Sequence, residues 1–239
     1  MEKSATTSLS KALQSLLRAR RSAKAFDPSR TVSEDQLGEL KTLALRAPSS
    51  FNAQPFKCVL VRDQGLKDDI AHAMVGINNA RRVRDAPLTA VFLADTESWT
   101  RAEGSDNPEG ETFQQRKRKQ ADVAFVAGAQ GAALRKAVQT ASLLAPTKIP
   151  EDPVLWSVKQ TIFFVDHWLL SCAALGLSTA PMEGYNEPRV RDVVGASSRY
   201  YCPVVVPTGY TALGDASLDE TTPLSPRYNA ADMFFDNQL

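Results

Sequence analysis

The sequence predicts an α+β fold in a single domain, and three observations carry that expectation. Apolar residues recur at helical spacing in several segments, beginning with Leu9, Leu13, Leu16 and Leu17. Short runs rich in β-branched and aromatic residues stand between them, at 56–61, at 88–94 and around Val204, Val205 and Val206. The 239 residues, 43% of them hydrophobic, suffice for one substantial core, and no Gly/Ser-rich or Pro-rich linker divides them.

Taken in order, the first helix runs from Ser8 to Ala19 and delivers Arg20 at its end. Residues Arg20 to Phe26 read as extended chain, and because side chains alternate there, Arg20, Ser22 and Lys24 are expected on one side. Ser33 and Glu34 start a second helix filled by Leu37, Leu40, Leu43 and Ala44, and Pro48 ends it. The polar loop Pro48-Ser49-Ser50-Phe51-Asn52-Ala53-Gln54-Pro55 follows at once. Phe56 to Val61 reads as a strand, Leu66 to Val75 as a helix and Leu88 to Ala94 as a strand, with Arg81, Arg82 and Arg84 crowding the turn before it. Trp99 to Glu111, rich in Gly, Asp, Asn and Pro, reads as a surface loop or lid. Phe113 to Thr140 reads as helix, its basic run Arg116 to Lys119 being a solvated face. Val154 to Leu177 is helical and apolar nearly all round, which places it centrally or at a subunit interface. After the strand at Val204 to Val206, the tail lacks periodicity and cannot form its own core, so it is expected to wrap around something.

Charge and motif content narrow the function. Lys plus Arg (28) against Asp plus Glu (27) leaves +1, so no global positive field draws this chain to nucleic acid or acidic membranes. The apolar stretch from Ile162 to Leu177 is broken by Asp166 and His167 and is too short for a membrane span. Cys58, Cys172 and Cys202 are widely spaced in apolar runs and read as buried thiols. No metal site is expected, and His72 and His167 are too few for most triad schemes. HExxH, GxSxG, Walker A and dinucleotide glycine signatures are all missing, so the usual devices for hydrolysis are absent. The first twenty residues carry one acid, Glu2, a composition shared with mitochondrial presequences, but the motif at Arg20 leaves little to cleave, and the cytoplasm is favoured.

Three segments remain that carry chemistry. A dianionic phosphate could accept charge-assisted hydrogen bonds from Arg20 and Ser22, with Lys24 meeting another part of an extended ligand. The Pro48 to Pro55 loop reads equally as a capped connection or as a donor-rich cofactor wall, and Pro181-Met182-Glu183-Gly184 taken alone is a turn.

In this order the segments resemble the FMN-dependent nitroreductase family, in particular its oxygen-insensitive NAD(P)H nitroreductases and flavin oxidoreductases. RxSxKxFD appears as Arg20 to Asp27, PSSxNxQP as Pro48 to Pro55, and AALGLxxxPxEGY/F as Ala173 to Tyr185, within a likeness running from Leu13 to Arg227. The resemblance implies a mostly antiparallel central sheet flanked by helices, one domain over 1–239, and an extension from about 210 packing on the partner of a homodimer. It implies that Arg20 and Ser22, helped by Arg227, hold the FMN phosphate, and that Lys24 and Arg82 sit beside the N1/O2 edge. It further implies that Asn79 and Asn52 bond the pyrimidine side and that Pro48, Ser49 and Ser50 line the ring and ribityl chain, with Gln160 reaching the cofactor. The Glu183 N–H faces N5, with Pro181, Met182 and Gly184 beside it, and Arg21 joins the cofactor set where relatives often carry histidine. Arg82 stands where lysine is usual, and Ser225 where several relatives have a second cation. No side chain is expected to act as catalyst, because hydride moves through the flavin by a ping-pong cycle from NADH or NADPH to nitroaromatics, quinones or free flavin. The alternatives are a specialised member, such as a dehalogenase or biosynthetic dehydrogenase, and a flavin-binding protein without turnover.

Overall fold

The computed structural model describes residues 2–50, 53–98, 152–212 and 224–236, and their side chains from Ser8 onward. A four-stranded antiparallel sheet of order β1-β2-β4-β3 forms its frame, from β1 (Phe56–Val61), β2 (Leu88–Asp95), β3 (Ser178–Thr179) and β4 (Tyr200–Gly209). Central β2 is buried at every position because a helical layer covers each sheet face. Alternation sorts the side chains. Leu88, Ala90 and Phe92 pack with Val204 and Val206 against α2 (Glu34–Ala44) and α5 (Pro153–Ala174), whereas Val91, Leu93 and Val205 pack against α3 (Gln64–Ala73), α4 (Ile77–Asp85) and α6 (Glu187–Val193). Phe164 of α5 stacks on Phe56 at 4.5 Å, and Trp168 meets Phe92 edge-on at 5.8 Å. Such pairs add about 0.5–1.5 kcal/mol each beyond area burial.

One irregularity matters for the site. Phe92 pairs with Val204 but Ala94 pairs with Tyr201, so β4 carries an extra residue around Cys202 and Pro203. Proline has no N–H for a ladder and is tolerated at such a bulge. The bulge also shifts Cys202 into the layer of α3, α4 and α6.

Several predicted elements form where the local chemistry puts them. Strand β1 has the expected bounds, and α2 starts at Ser33 through a capping box in which Gln36 N–H donates to Ser33 Oγ at 3.2 Å. Helix α1 (Glu2–Ala19) begins earlier than expected, and α3 begins at Gln64 because Asp63 caps it, accepting from Leu66 N–H at 2.9 Å. Other expectations need correction. Arg81, Arg82 and Arg84 lie in helix α4 and not in a turn; only Ala80 and Val83 of that helix are buried, too narrow an apolar stripe to stand out among charges. Strand β3 and helix α6 were not expected, being only two and seven residues long. Helix α5 has a distinct inner face of Ser157, Gln160, Thr161, Phe164, Trp168 and Cys172, while Leu155, Ile162 and Phe163 are exposed. Its inner hydroxyls are satisfied, Ser157 by the Asp95 carbonyl at 2.7 Å and Thr161 by the Ser157 carbonyl at 2.8 Å.

The predicted loop from Trp99 to Glu111, the helix from Phe113 to Thr140, the basic run Arg116 to Lys119, Asn52 and residues 213–223 of the tail lie outside the described residues. In the described tail, a single 3-10 turn (Ala230–Asp232) stands near Tyr228 and Phe234, both strongly exposed. Among the described residues no helix is long and apolar enough to cross a membrane.

Candidate functional site

The segment after α1 docks as an added edge strand. Ser22 forms a parallel bridge with Thr179 of β3, and Ala23 N–H donates to the Thr179 carbonyl at 2.9 Å. Further along, Phe26 bridges Thr211, Asp27 N–H donates to Tyr210 O and Ala212 N–H donates to Ala25 O. The extended reading therefore holds, but strict alternation does not. Lys24 sits at a bend, and Ala23 and Phe26, of opposite parity, are both buried. Arg20 still closes α1, its N–H donating to Leu16 O at 3.0 Å; Ser22 holds the bridge and Lys24 leaves it.

The loop 181–186 is fastened on two sides. Met182 and Val205 exchange both backbone hydrogen bonds, at 2.9 and 3.0 Å, and Ala180 N–H donates to Pro207 O. On the other side, Val75 N–H donates to Gly184 O at 2.7 Å and Asn186 N–H donates to Ala73 O at 2.9 Å. Both backbone groups of Cys202 at the bulge are taken by side chains: its carbonyl accepts from the Tyr185 phenol at 2.7 Å, and its N–H donates to Glu187 at 2.9 Å. Burial, and then the neighbouring Cys202, pushes the Tyr185 phenol above its ordinary pKa, so it stays a neutral donor. Glu183 and Gly184 are left exposed at the tip.

Helix α4 meets that tip. A Cβ on Gly184 would stand 3.4 Å from Asn79 Nδ2. Asn79 Nδ2 donates to Val75 O at 3.2 Å, Arg82 Nη1 donates to Asn79 Oδ1 at 2.8 Å, and Arg82 Nε donates to Lys24 O at 3.2 Å. Ser22, Lys24, Asn79, Arg82, Pro181, Met182, Glu183 and Gly184, spread over most of the sequence, are thus tied together through β3, β4 and α4.

A second group forms around Gln160 on the inner face of α5. Its Oε1 accepts from Ser50 N–H at 2.8 Å, while Ser49 Oγ accepts from Gln54 N–H at 3.0 Å, which fixes the loop that Pro48 opens. Arg21 is half-buried. Arg227 is exposed and donates to the carbonyls of Ser225 and Pro226, at 3.1 and 3.0 Å. Sequence reasoning missed Val75 and Glu187 as supports and passed over the phenol of Tyr185, whose place at the end of the quoted motif was the available signal.

Comparisons with known proteins extend this geometry. The model of the nitroreductase family matches residues 17–210. A Thermus thermophilus protein named NADH dehydrogenase is 30% identical over 181 residues, 76% of this chain and 78% of its own. The oxygen-insensitive NAD(P)H nitroreductase of Salmonella typhimurium is 29% identical over 203 residues, 82% of this chain and 87% of its own. In fold, an Exiguobacterium sibiricum protein solved in complex with FMN matches with a TM-score of 0.66 at 16% identity, over 93% of this chain and 95% of that one.

Proposed function

The chain belongs to the nitroreductase family, and from that premise we propose an FMN-dependent NAD(P)H oxidoreductase working by a ping-pong cycle on nitroaromatic, quinone or flavin acceptors. Its enzyme class, NAD(P)H-dependent nitroreductase, and its cofactors, FMN with NADH or NADPH, are those of its relatives. The residues present fit that cofactor: a guanidinium and an amide meet at Arg82 and Asn79 beside Gly184, where no Cβ intrudes, and the backbone of Ser22 is docked on Thr179 of β3. Bound FMN supplies the two-electron carrier between nicotinamide and acceptor.

Arg20 and Ser22 are assigned to the phosphate, each charge-assisted hydrogen bond being worth about 1.5–3 kcal/mol. Lys24 and Arg82 set fixed positive charge beside the N1/O2 edge, where reduction brings negative charge, and so favour the reduced cofactor. Asn79 and Asn52 are assigned to the pyrimidine side, and Pro48, Ser49 and Ser50 to the ring and ribityl chain. Gln160 acts by holding the Ser50 peptide. The Glu183 N–H is assigned to N5, on a tip whose bonds to Val75, Val205 and Cys202 limit its movement. Arg21, Pro181 and Met182 complete the set.

A homodimer accounts for what one chain leaves open. Leu9, Leu13 and Leu17 of α1, Ile162 and Phe163 of α5, and Phe234 and Phe235 of the tail are exposed. Strand β1 ends the sheet beside a cleft of about 360 Å³ lined by Lys41, Phe56, Lys57, Leu60 and Phe164 among others. Residues 210–212 pair with Ala25 to Asp27 of their own chain, so the extension assigned to the partner's surface starts after Ala212; there Arg227 reaches a phosphate, and 1–239 is assigned to one domain in the cytoplasm.

The observation that carries this reading is the docking of the Arg20 to Phe26 segment onto β3, beside the loop that presents Glu183 and Gly184. Purification tests it: the protein is expected to be yellow, or to take up FMN and then oxidise NADH or NADPH with a nitrofuran present. A colourless protein with no affinity for FMN sinks the reading.

A further inference from the structure

Arg82 stands where three segments meet. From α4 its Nε reaches the Lys24 carbonyl, 58 residues away, at 3.2 Å, and its Nη1 reaches Asn79 Oδ1 at 2.8 Å. A guanidinium donates and never accepts, so the Asn79 atom facing it must be the oxygen. The amide nitrogen is then committed to the opposite side. There it donates to Val75 O at 3.2 Å and lies toward Gly184, at whose position a Cβ would be 3.4 Å away. Val75 in turn donates its own N–H to Gly184 O at 2.7 Å, so α4 and the tip are fixed to the same residue. One of the two Nδ2 hydrogens is used by Val75, which leaves one for a ligand.

We propose that Arg82 is a positioning residue as well as a cation: it locks Asn79 as a hydrogen-bond donor and ties the Lys24 peptide to α4, so that a planar ligand against Gly184 is read there through an acceptor atom. This rests on FMN being that ligand, and it adds a direction to Asn79 and a second task to Arg82. Lysine could not replace it in this task. A single ammonium on a flexible stem offers no planar fork to hold two acceptors on separate elements, whereas arginine carries five donors, of which two are used in these contacts.

The test uses Arg82→Lys, Asn79→Ala, Asn79→Asp and the double variant Asn79→Ala with Arg82→Lys, titrated as flavin-free protein with FMN. Asn79→Asp keeps the shape but puts an oxygen where the donor was. FMN dissociation constants are expected to rise roughly tenfold or more in Asn79→Asp and Arg82→Lys, the loss of about one charge-assisted or buried hydrogen bond. The double variant is expected to bind no more weakly than the worse single one, because the pair acts as a unit. In flavin-free protein, Arg82→Lys is expected to speed amide hydrogen exchange over residues 23–27 while β2 exchanges at the wild-type rate, which also shows that the variant is folded. Undiminished FMN affinity in Asn79→Asp overturns the donor assignment. Additive losses, or wild-type exchange over 23–27, overturn the positioning role. A wild type that takes up no FMN removes the functional reading and the donor assignment together, and the exchange comparison still decides whether Arg82 ties Lys24 to α4.

Discussion

Gly209 closes β4 opposite Ser178, and a Cβ there would stand 2.3 Å from Cδ and 2.4 Å from Cγ of Pro87. A proline ring cannot rotate away, so Gly209→Ala is expected to cost about 1–3 kcal/mol of stability through overpacking. Urea denaturation would measure it, and an unchanged midpoint would refute the packing argument. Gln54 is the opposite case, a residue with a side chain held at φ 46, in the left-handed region. Ser49 Oγ holds its N–H, and its carbonyl accepts from Phe56 N–H at 2.8 Å, which sustains a conformation that costs about 1–3 kcal/mol. That strain lies in the loop assigned to the cofactor. The sequence named Asn79 and Arg82 through a family likeness; their bond to each other spans three residues of α4, but the bond of Arg82 to the Lys24 peptide is a contact across 58 residues that no local pattern encodes.

Elements show the same division. Helix α2 was legible because its signals are local: a capping serine, leucines at helical spacing and a proline beyond its end. Helix α4 was not, since it buries only Ala80 and Val83 and is held in place by its neighbours. Lys67 of α3 is one such neighbour, donating its Nζ to the carbonyls of Arg84 and Ala86 at 3.1 and 2.8 Å and so closing the C-terminal end of α4. The bulge of β4 acts in a similar way on the loop 181–186, through the Tyr185 phenol on the Cys202 carbonyl. Tyr185→Phe removes that donor with little change of shape and leaves a carbonyl wanting, at about 1–3 kcal/mol. Thermal denaturation is expected to show the loss, and hydrogen exchange over residues 182–186 to rise; equal stability and exchange would mean that the bond does not anchor the loop.

At the scale of the whole molecule, the two helical layers bury the sheet but leave a row of large apolar groups outside. Phe163 of α5 is 50% exposed in the single chain. If α5 meets a second copy, Phe163→Glu is expected to convert dimer to monomer in analytical ultracentrifugation, because a carboxylate buried without a partner is strongly unfavourable. Dimer of undiminished stability would place the interface elsewhere. Burial also sets the response to alkali. Cys172 and Cys202 are fully buried, and burial raises both thiols, Cys202 from 9.0 to about 12; Tyr185 is raised as well. An unfolded chain therefore releases protons from about pH 9 upward that the folded chain retains, so this stability is intact below that pH and is lost as pH climbs toward the folded values. Denaturation midpoints are expected to fall steadily from pH 9 to 11, less steeply in Cys202→Ala; a flat profile would contradict the burial of these groups.

The sequence by itself determined the mixed class, the bounds of β1, the start of α2, the extended run after Arg20 and the family, since each depends on propensity, capping or a short motif read in order. Only the tertiary structure decided that Ser22 docks beside Thr179, that Lys24 turns out of the ladder and that the bulge of β4 steadies the Glu183 tip. These are outcomes of contact between segments far apart in the chain, where burial and hydrogen-bond satisfaction are resolved jointly and no stretch of residues carries the answer alone.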